Sequence, residues 1–448
     1  MTGAGVVSAI GKGVEAFWRG CLEGRAVVTT IPENWIQFAD FHSRLWSPLP
    51  ELDLESLGIA RTERLHLDPV TMLAIGAGRE ALENAGFTLQ PVEERARAYR
   101  VSGIDGTRAG VFLGTGIGGA HSFLHNHVHH LHQRTRALLA AYAGNHASDP
   151  DLASLNTVLG MLSHGPRYNP FVVSMLMPNA PSAALGIRFS LTGPNVTSCV
   201  ACAAGTVAVG HGYRAVRDGD VDLAVTGGSE YLYDEHGHIF HGFDVAGTLV
   251  RDYSSPETAN RPFDMKRSGF LFSQGGAAVL VLEDMEHARR RGAPIMAEVT
   301  GFAETFDAHS MMSLAPGGQQ IERVLRTALA DADLAPGSID YINAHGTGTR
   351  NNDEVEAGVI ERVFGKSVRV NSTKSILGHT IGASGAFEAV VTALTLRDGI
   401  THACKNLDEP LLDLNFVRSA GHFDARAAVS QSFAFGGHNA AIVMRRFD

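Results

Sequence analysis

The run Ala277-Ala278-Val279-Leu280-Val281-Leu282 is six consecutive apolar residues, too short to cross a membrane and without the alternation of a strand that has one wet face. Such a strand is stable only in a sheet covered on both sides. Gly110-Val111-Phe112-Leu113-Gly114 and Asp222-Leu223-Ala224-Val225-Thr226-Gly227-Gly228 are further short apolar runs that end in glycine beside a helical pattern. Strands of this kind alternating with helices predict an α/β fold whose sheets are internal layers.

The chain also carries a faint internal repeat. Moved by 180 residues, Gly205 and Arg217-Asp218-Gly219 fall on Gly385 and Arg397-Asp398-Gly399. Two helices share one design: each starts among small residues, runs about four turns and stops at a glycine, as helix C-termini do. The match predicts a duplication with these helices in corresponding places.

With 448 residues, 44% of them hydrophobic, the chain can bury a large core and divide into two or three domain-sized units. A net charge of -10 and no long Lys/Arg block exclude a nucleic-acid binder, which needs a basic footprint. No apolar run approaches the roughly 18 residues of a spanning helix, and no basic region follows Met1, so no membrane insertion and a cytoplasmic location are expected. The first strand begins abruptly at Met1, and the true start is expected upstream. Cys21, Cys199, Cys202 and Cys404 are too few for a disulfide framework; each is a core thiol or a reactive one.

From His125 to Leu162 the pattern is helical and polar, broken by loop chemistry between Gly144 and Pro150. It reads as an excursion from the core. His125, His129 and His132 share one helical face, yet no nearby carboxylate or cysteine completes a ligand set. A solvated histidine-rich face, with no metal, is the expectation.

Four segments concentrate reactive side chains among small residues: Val200-Ala201-Cys202-Ala203-Ala204-Gly205, Asn343-Ala344-His345-Gly346-Thr347-Gly348-Thr349, Asn371-Ser372-Thr373-Lys374-Ser375-Ile376-Leu377-Gly378-His379 and Ser432-Phe433-Ala434-Phe435-Gly436-Gly437-His438-Asn439. Cys202 stands at the start of the first paired helix, where free N–H groups and the helix dipole favour a thiolate. Cys199 and Cys202 also form a Cys-x-x-Cys, but no second pair exists for zinc, and Cys199 reads as a structural thiol. Two neutral imidazoles, His345 and His379, can donate N–H groups to a carbonyl that gains negative charge, as decarboxylation requires. Lys374 needs a partner if buried, and Glu388 on the second paired helix can supply it. The Phe433-to-Gly437 loop can turn its N–H groups, with that of Cys202, toward a thioester oxygen as an oxyanion hole.

In this order and at these separations the four segments resemble the β-ketoacyl-acyl carrier protein synthases, most closely the elongating type of bacterial fatty acid synthesis and type II polyketide systems. The resemblance runs from Thr2-Gly3-Ala4-Gly5-Val6-Val7-Ser8 through Gly227-Gly228-Ser229-Glu230 and Arg261-Pro262-Phe263-Asp264 to Ala441-Ile442-Val443-Met444. It implies the thiolase fold, two pseudo-symmetric halves in five-layered α-β-α-β-α packing. The N-terminal half (1–284) would carry the cysteine and the C-terminal half (285–448) both histidines. It further implies Cys202 as acyl acceptor, His345 and His379 as the decarboxylation and condensation pair, and Lys374 with Glu388 as their support. Cys202 and Phe435 would form the oxyanion hole. Thr347 and Thr349 would hold the phosphopantetheine arm, with Phe435 as a gate beside the nucleophile, Phe433 in the same substrate-binding loop and Phe243 near the acyl chain. No cofactor is implied beyond the phosphopantetheine of the carrier protein. Acyl carrier protein and a second ketosynthase-like subunit, identical or not, are the implied partners.

Several features depart from the family pattern. The stretch 125–162 is longer than its usual counterpart, Ser273-Gln274-Gly275 stands where an acidic residue is common, and Met311-Met312 and His438 replace hydroxyl residues. These departures favour a specialised pathway over housekeeping synthesis. A thiolase would want a second cysteine near the C-terminus, and a chalcone-synthase-like condenser an asparagine in place of His379. A chain-length-setting partner subunit would lack Cys202.

Overall fold

In the computed structural model, which describes residues 1–145 and 168–448, the apolar run around Val279 forms a strand buried along its whole length. Its side chains alternate between two apolar cores. Ala277, Val279 and Val281 face outward onto helices, while Ala278, Leu280 and Leu282 face the centre of the molecule.

That strand, Gly275–Glu283, belongs to the first of two six-stranded sheets. In chain order the strands of this sheet are β1 (Gly3–Ser8), β2 (Gly11–Lys12), β3 (Ala109–Gly114), β4 (Asn195–Ser198), β5 (Leu223–Tyr231) and β6 (Gly275–Glu283). Their spatial order is β2-β1-β6-β5-β3-β4. The second sheet contains β7 (Glu298–Phe306), β8 (Tyr341–Asn343), β9 (Arg369–Asn371), β10 (Asn415–Phe416), β11 (Ala427–Phe433) and β12 (His438–Arg445), in the order β7-β12-β11-β8-β9-β10.

The two sheets repeat one pattern. Along β1-β6-β5-β3-β4 the pairings are antiparallel, antiparallel, parallel, parallel, and β7-β12-β11-β8-β9 follows the same sequence. Outside the first sheet lie α1 (Pro69–Asn84) and α3 (Ala180–Phe189); between them in sequence comes the long α2 (Ala120–Asn145). Between the sheets lie α4 (Ala204–Arg217) and α7 (Ser384–Asp398), and outside the second sheet α5 (Gln319–Asp331) and α6 (Arg350–Phe364). The layers therefore run α-β-α-β-α, with an apolar cluster in each outer gap and one around the central helices.

The predicted helix pair is this central layer. The helices end at Arg217 and Asp398, each followed within two residues by a glycine of positive φ, Gly219 at 80° and Gly399 at 61°. They cross closely where both are smallest. A Cβ added at Gly205 would stand 2.7 Å from the Ala386 nitrogen, and one at Gly385 2.0 Å from Thr206 Oγ1.

Of the excursion predicted for 125–162, residues 125–145 continue one helix, and the Gly144–Pro150 interruption from His146 onward, with the rest of the excursion, lies outside the described residues. Among the described residues no helix is long and apolar enough to cross a membrane.

Candidate active site

Each half brings its central helix in through a tight turn. Ala201–Ala203 forms a 3-10 turn leading directly into α4, with Ala201 at a φ of 47°; Ile381–Ala383 does the same before α7, with Ile381 also at 47°. Cys202 stands at the first turn, 4% exposed. The turn points its thiol at loops from the second sheet.

The His379 Nε2 lies 3.1 Å from Cys202 Sγ. At the other side of the ring the backbone N–H of Ile381 donates to Nδ1 over 3.3 Å, so Nδ1 is an acceptor and the ring proton sits on Nε2, facing sulfur. His379 is fixed through its own main chain as well: its N–H donates to Leu271 and its carbonyl accepts from Ser273. The ring of His345 lies 5.6 Å from that of His379, nearly perpendicular to it.

Lys374 Nζ donates to His345 Nδ1 over 3.1 Å, which leaves the Nε2–H of His345 as its remaining donor. Lys374 also pairs with Glu388, and both side chains are buried. Lys374 opens a helical turn, Lys374–Leu377, three residues past β9. Burial, reinforced by the Lys374 ammonium, holds both histidines well below the ordinary imidazole range, so both are neutral near pH 7. Burial pushes the Glu388 carboxyl up to about 7 against the pull of Lys374.

The thiolate expected at Cys202 is not what the surroundings favour. Burial pushes the thiol up to about 12, with Lys374 and the N–H groups of Phe435 and Cys202 offsetting only part of that. A helix start is visible in the sequence; complete desolvation of the sulfur is not. The same contacts place the main-chain N–H groups of Phe435 and Cys202 against Sγ. The loop that presents Phe435 is held by a Gly436 N–H to Met311 carbonyl bond of 2.9 Å, with Gly436 and Gly437 both at a φ of 85°.

A cavity of about 250 Å³ opens onto Sγ, lined by His345 and His379 and by Thr347, Thr349, Phe433 and Phe435 among others. The Thr347 and Thr349 hydroxyls are 2.9 Å apart. Phe243 is not in this lining: its ring packs 5.8 Å from that of Phe270, which does line the cavity and lies 5.0 Å from the His379 ring. Cys199, expected as a structural thiol, is exposed at the end of edge strand β4, its Sγ donating to the Gly116 carbonyl over 3.3 Å.

Three buried carboxyls escaped the sequence reading. Glu356 accepts the N–H groups of His345 and Gly346 at 2.7 and 2.8 Å, and Asp353 accepts those of Thr347 and Gly348 at 3.1 and 3.2 Å. Both lie in the first turns of α6, which follows that loop, and an acidic pair there is the signal that could have identified them. Glu230 accepts the N–H of Gly116 at 2.6 Å and that of Gly382 at 2.9 Å, tying the end of β3 to the second tight turn. Its segment, Gly227-Gly228-Ser229-Glu230, is part of the resemblance, but nothing local in it gives Glu230 its partners.

Comparison with known proteins agrees with this geometry. Residues 1–288 match the β-ketoacyl synthase N-terminal domain and residues 296–408 the β-ketoacyl synthase C-terminal domain. The chain is 33% identical to the 3-oxoacyl-[acyl-carrier-protein] synthase 2 of Staphylococcus aureus strain COL, with 100% of this chain and 98% of the relative aligned, and equally similar to that of Vibrio harveyi. A β-ketoacyl synthase from Burkholderia phymatum STM815 superposes with a TM-score of 0.81 at 29% identity, covering 100% of this chain and 99% of that one. The ishigamide ketosynthase/chain length factor follows at 0.78 and 29%, and a type II PKS acyl-carrier protein in complex with its ketosynthase bound to the hexaketide at 0.78 and 27%, each covering 100% of this chain and 98% of the other. The duplicated five-layer architecture is thus the thiolase fold of these enzymes, and the chain belongs to the β-ketoacyl synthase family of acyltransferase-class condensing enzymes.

Proposed function

We propose that Cys202 accepts an acyl group from an acyl-carrier-protein thioester and that the enzyme condenses it with malonyl-carrier protein in a specialised, type II polyketide-like pathway. The observation that carries the reading is the Nε2–H of His379 aimed at Sγ from 3.1 Å, beside a second neutral histidine and two main-chain N–H groups.

In the first step Sγ attacks the thioester carbonyl, whose oxygen takes its negative charge to the N–H groups of Cys202 and Phe435. The carrier thiolate leaves and takes the proton that Sγ gives up. Malonyl-carrier protein follows. Its carboxylate departs as CO2, the electron pair of the broken C–C bond passes into an enolate, and the enolate oxygen accepts the Nε2–H bonds of His345 and His379. The enolate carbon then attacks the acyl carbonyl, and collapse expels Sγ, which regains a proton from solvent. Two easier steps replace one hard one. Lys374 keeps the His345 proton on Nε2, and Glu388 offsets the burial of Lys374.

Thr347 and Thr349 at the cavity mouth suit a phosphopantetheine arm, and no other cofactor is required. Phe433 and Phe435 flank the acyl thioester, and Phe243 backs the acyl chain through Phe270. The catalytic unit divides at residue 284, with the nucleophile in one half and both histidines in the other. Acyl carrier protein is the partner, and the cytoplasm the location. A second ketosynthase-like subunit suits the side of β4 that is unpaired among the described residues, where Val196, Ile187 and Val173 are 38%, 66% and 66% exposed. The exposed Met311 and Met312 beside the Gly436 loop and the long α2 favour the specialised pathway. The similar structures of a type II PKS ketosynthase and of the ishigamide ketosynthase/chain length factor support it further.

The test is incubation with a panel of saturated and polyketide-type acyl-carrier proteins, then malonyl-carrier protein, read by intact mass. Acylation of wild type at Cys202, none in C202A, and full acylation of C199A are expected. Label on Cys199 would overturn the assignment of the nucleophile, and preference for long saturated chains the assignment of the pathway.

A further inference from the structure

The histidine face of α2 is not left to solvent. The chain that leaves β5 brings Glu235 back to it, 110 residues from His125, so that His125 Nδ1 lies 3.0 Å from Glu235 Oε1 and His129 Nε2 lies 3.7 Å from Oε2. This corrects the sequence expectation, in which no carboxylate completed the set. One ligand atom from each of the three residues falls within 4.8 Å of the others. The His125 and His129 rings are 4.3 Å apart and nearly perpendicular.

A tetrahedral cation with bonds of about 2.0–2.1 Å holds its ligand atoms roughly 3.3 Å apart, between the two distances seen. Both ring nitrogens of His129 are sealed from solvent, and neither makes a hydrogen bond among the described residues. An imidazole always carries at least one N–H or lone pair that wants a partner, and this one has none among the described residues.

We propose that His125, His129 and Glu235 bind a divalent transition-metal cation of the zinc class, joining the first turns of α2 to the chain beyond β5. Two imidazoles and one carboxylate are donors that zinc accepts, with a fourth position left for water or another ligand. That position has room: His125 and Glu235 border a cavity of about 610 Å³, lined also by His121, Tyr168 and Phe171.

The adjacent group Asp234, His236 and His238 also gathers ligand atoms, but its carboxylate is already committed. Asp234 accepts the main-chain N–H groups of His236, His238 and Ile239 at 3.1, 3.0 and 2.9 Å, and so serves as a turn cap.

The experiment is titration of tag-free, chelator-stripped full-length protein with Zn(II) against a chromogenic chelator, and with Co(II) followed by its absorption spectrum. One ion per chain and a tetrahedral Co(II) spectrum are expected in wild type. H129Q and E235Q are expected to bind roughly 100-fold more weakly or worse, and H238Q as wild type. Labelling of Cys202 by iodoacetamide at the wild-type rate establishes that each variant is folded. Equal binding by wild type, H129Q and E235Q, or loss of binding in H238Q, assigns the metal to other surface imidazoles and overturns the proposal, as does no binding by wild type.

Discussion

Replacing Lys374 by methionine keeps most of the side-chain volume but removes the ammonium from between His345 and Glu388. Lys374 and Glu388 are 3% and 1% exposed, so the carboxyl left behind cannot be rescued by water. Breaking a buried pair from one side destabilises by roughly 3–5 kcal/mol. The lower end applies here, because burial already pushes Glu388 up to about 7 with its partner present, and without it the carboxyl takes a proton at neutral pH. The sign follows: K374M loses least stability below pH 6, where the carboxyl is neutral, and most as pH rises. Adding E388Q removes the charge altogether and is expected to recover about 1–3 kcal/mol, the usual range for groups in one network.

Activity separates from stability in the same pair. Without the Lys374 donor at Nδ1, His345 no longer holds its proton on Nε2, and condensation falls roughly 10²–10³-fold, as when one oxyanion donor is removed. E388Q cannot restore that. Urea unfolding followed by the fluorescence of the buried Trp18, Trp35 and Trp46 measures the first effect, and product formation from pre-acylated enzyme the second. Failure of E388Q to recover stability in the K374M background would refute the ion-pair argument. Recovery of condensation by E388Q would refute the role given to the His345 tautomer.

With its thiol pushed up to about 12, Cys202 is expected to react with iodoacetamide about tenfold faster per pH unit from pH 7 to 9, and a plateau centred below pH 8 would contradict this. Glu230 stands at about 7 in the folded protein against an ordinary 4.5, so it favours the folded state below pH 4.5 and loses that contribution as pH rises to 7. At 1.4 kcal/mol per pH unit the unfolding free energy of E230Q is expected to gain on wild type by up to about 3 kcal/mol between pH 4.5 and 8, and a pH-independent difference would falsify the assignment. Gly385→Ala drives a Cβ into Thr206 and is expected to destabilise by roughly 1–3 kcal/mol in thermal unfolding, whereas an unchanged midpoint would mean that the helices can move apart.

What the sequence made legible was whatever local pattern carries. The apolar run at Val279, the paired helices and the four glycine-rich segments all announce themselves within ten or so residues, and the fold puts Cys202, His345, His379, Lys374 and Glu388 together. What stayed hidden depends on contacts between distant residues. Glu230 reaches Gly382 across 152 residues, and Glu235 reaches His125 across 110, so neither carboxylate could be paired with its partner by spacing. Burial was the second blind spot. The helix start at Cys202 promised a thiolate, and full desolvation reverses that; Cys199, three residues earlier, was expected inside and lies exposed at the sheet edge. Phe243 was expected at the acyl pocket, where Phe270 lines the cavity instead.

The duplicated turn carries a thiol in only one of its two copies. Ala201 and Ile381 share a φ of 47°, a left-handed conformation that disfavours both side chains by roughly 1–3 kcal/mol. Chemistry cannot be the reason for that strain, since only one of the two turns carries a thiol. The close crossing of α4 and α7 at Gly205 and Gly385 is common to both, and entering it demands the same turn from either side. After the strained residue the twins diverge: Cys202 offers a thiol, and Gly382 at the matching position has no side chain. The main-chain N–H of Gly382 is taken by the Glu230 carboxyl at 2.9 Å. A buried carboxyl thus occupies the second elbow. Strain at Ala201 belongs to the helix crossing, and in the proposed mechanism the reactivity of Cys202 belongs to what His379, His345 and Phe435 aim at it.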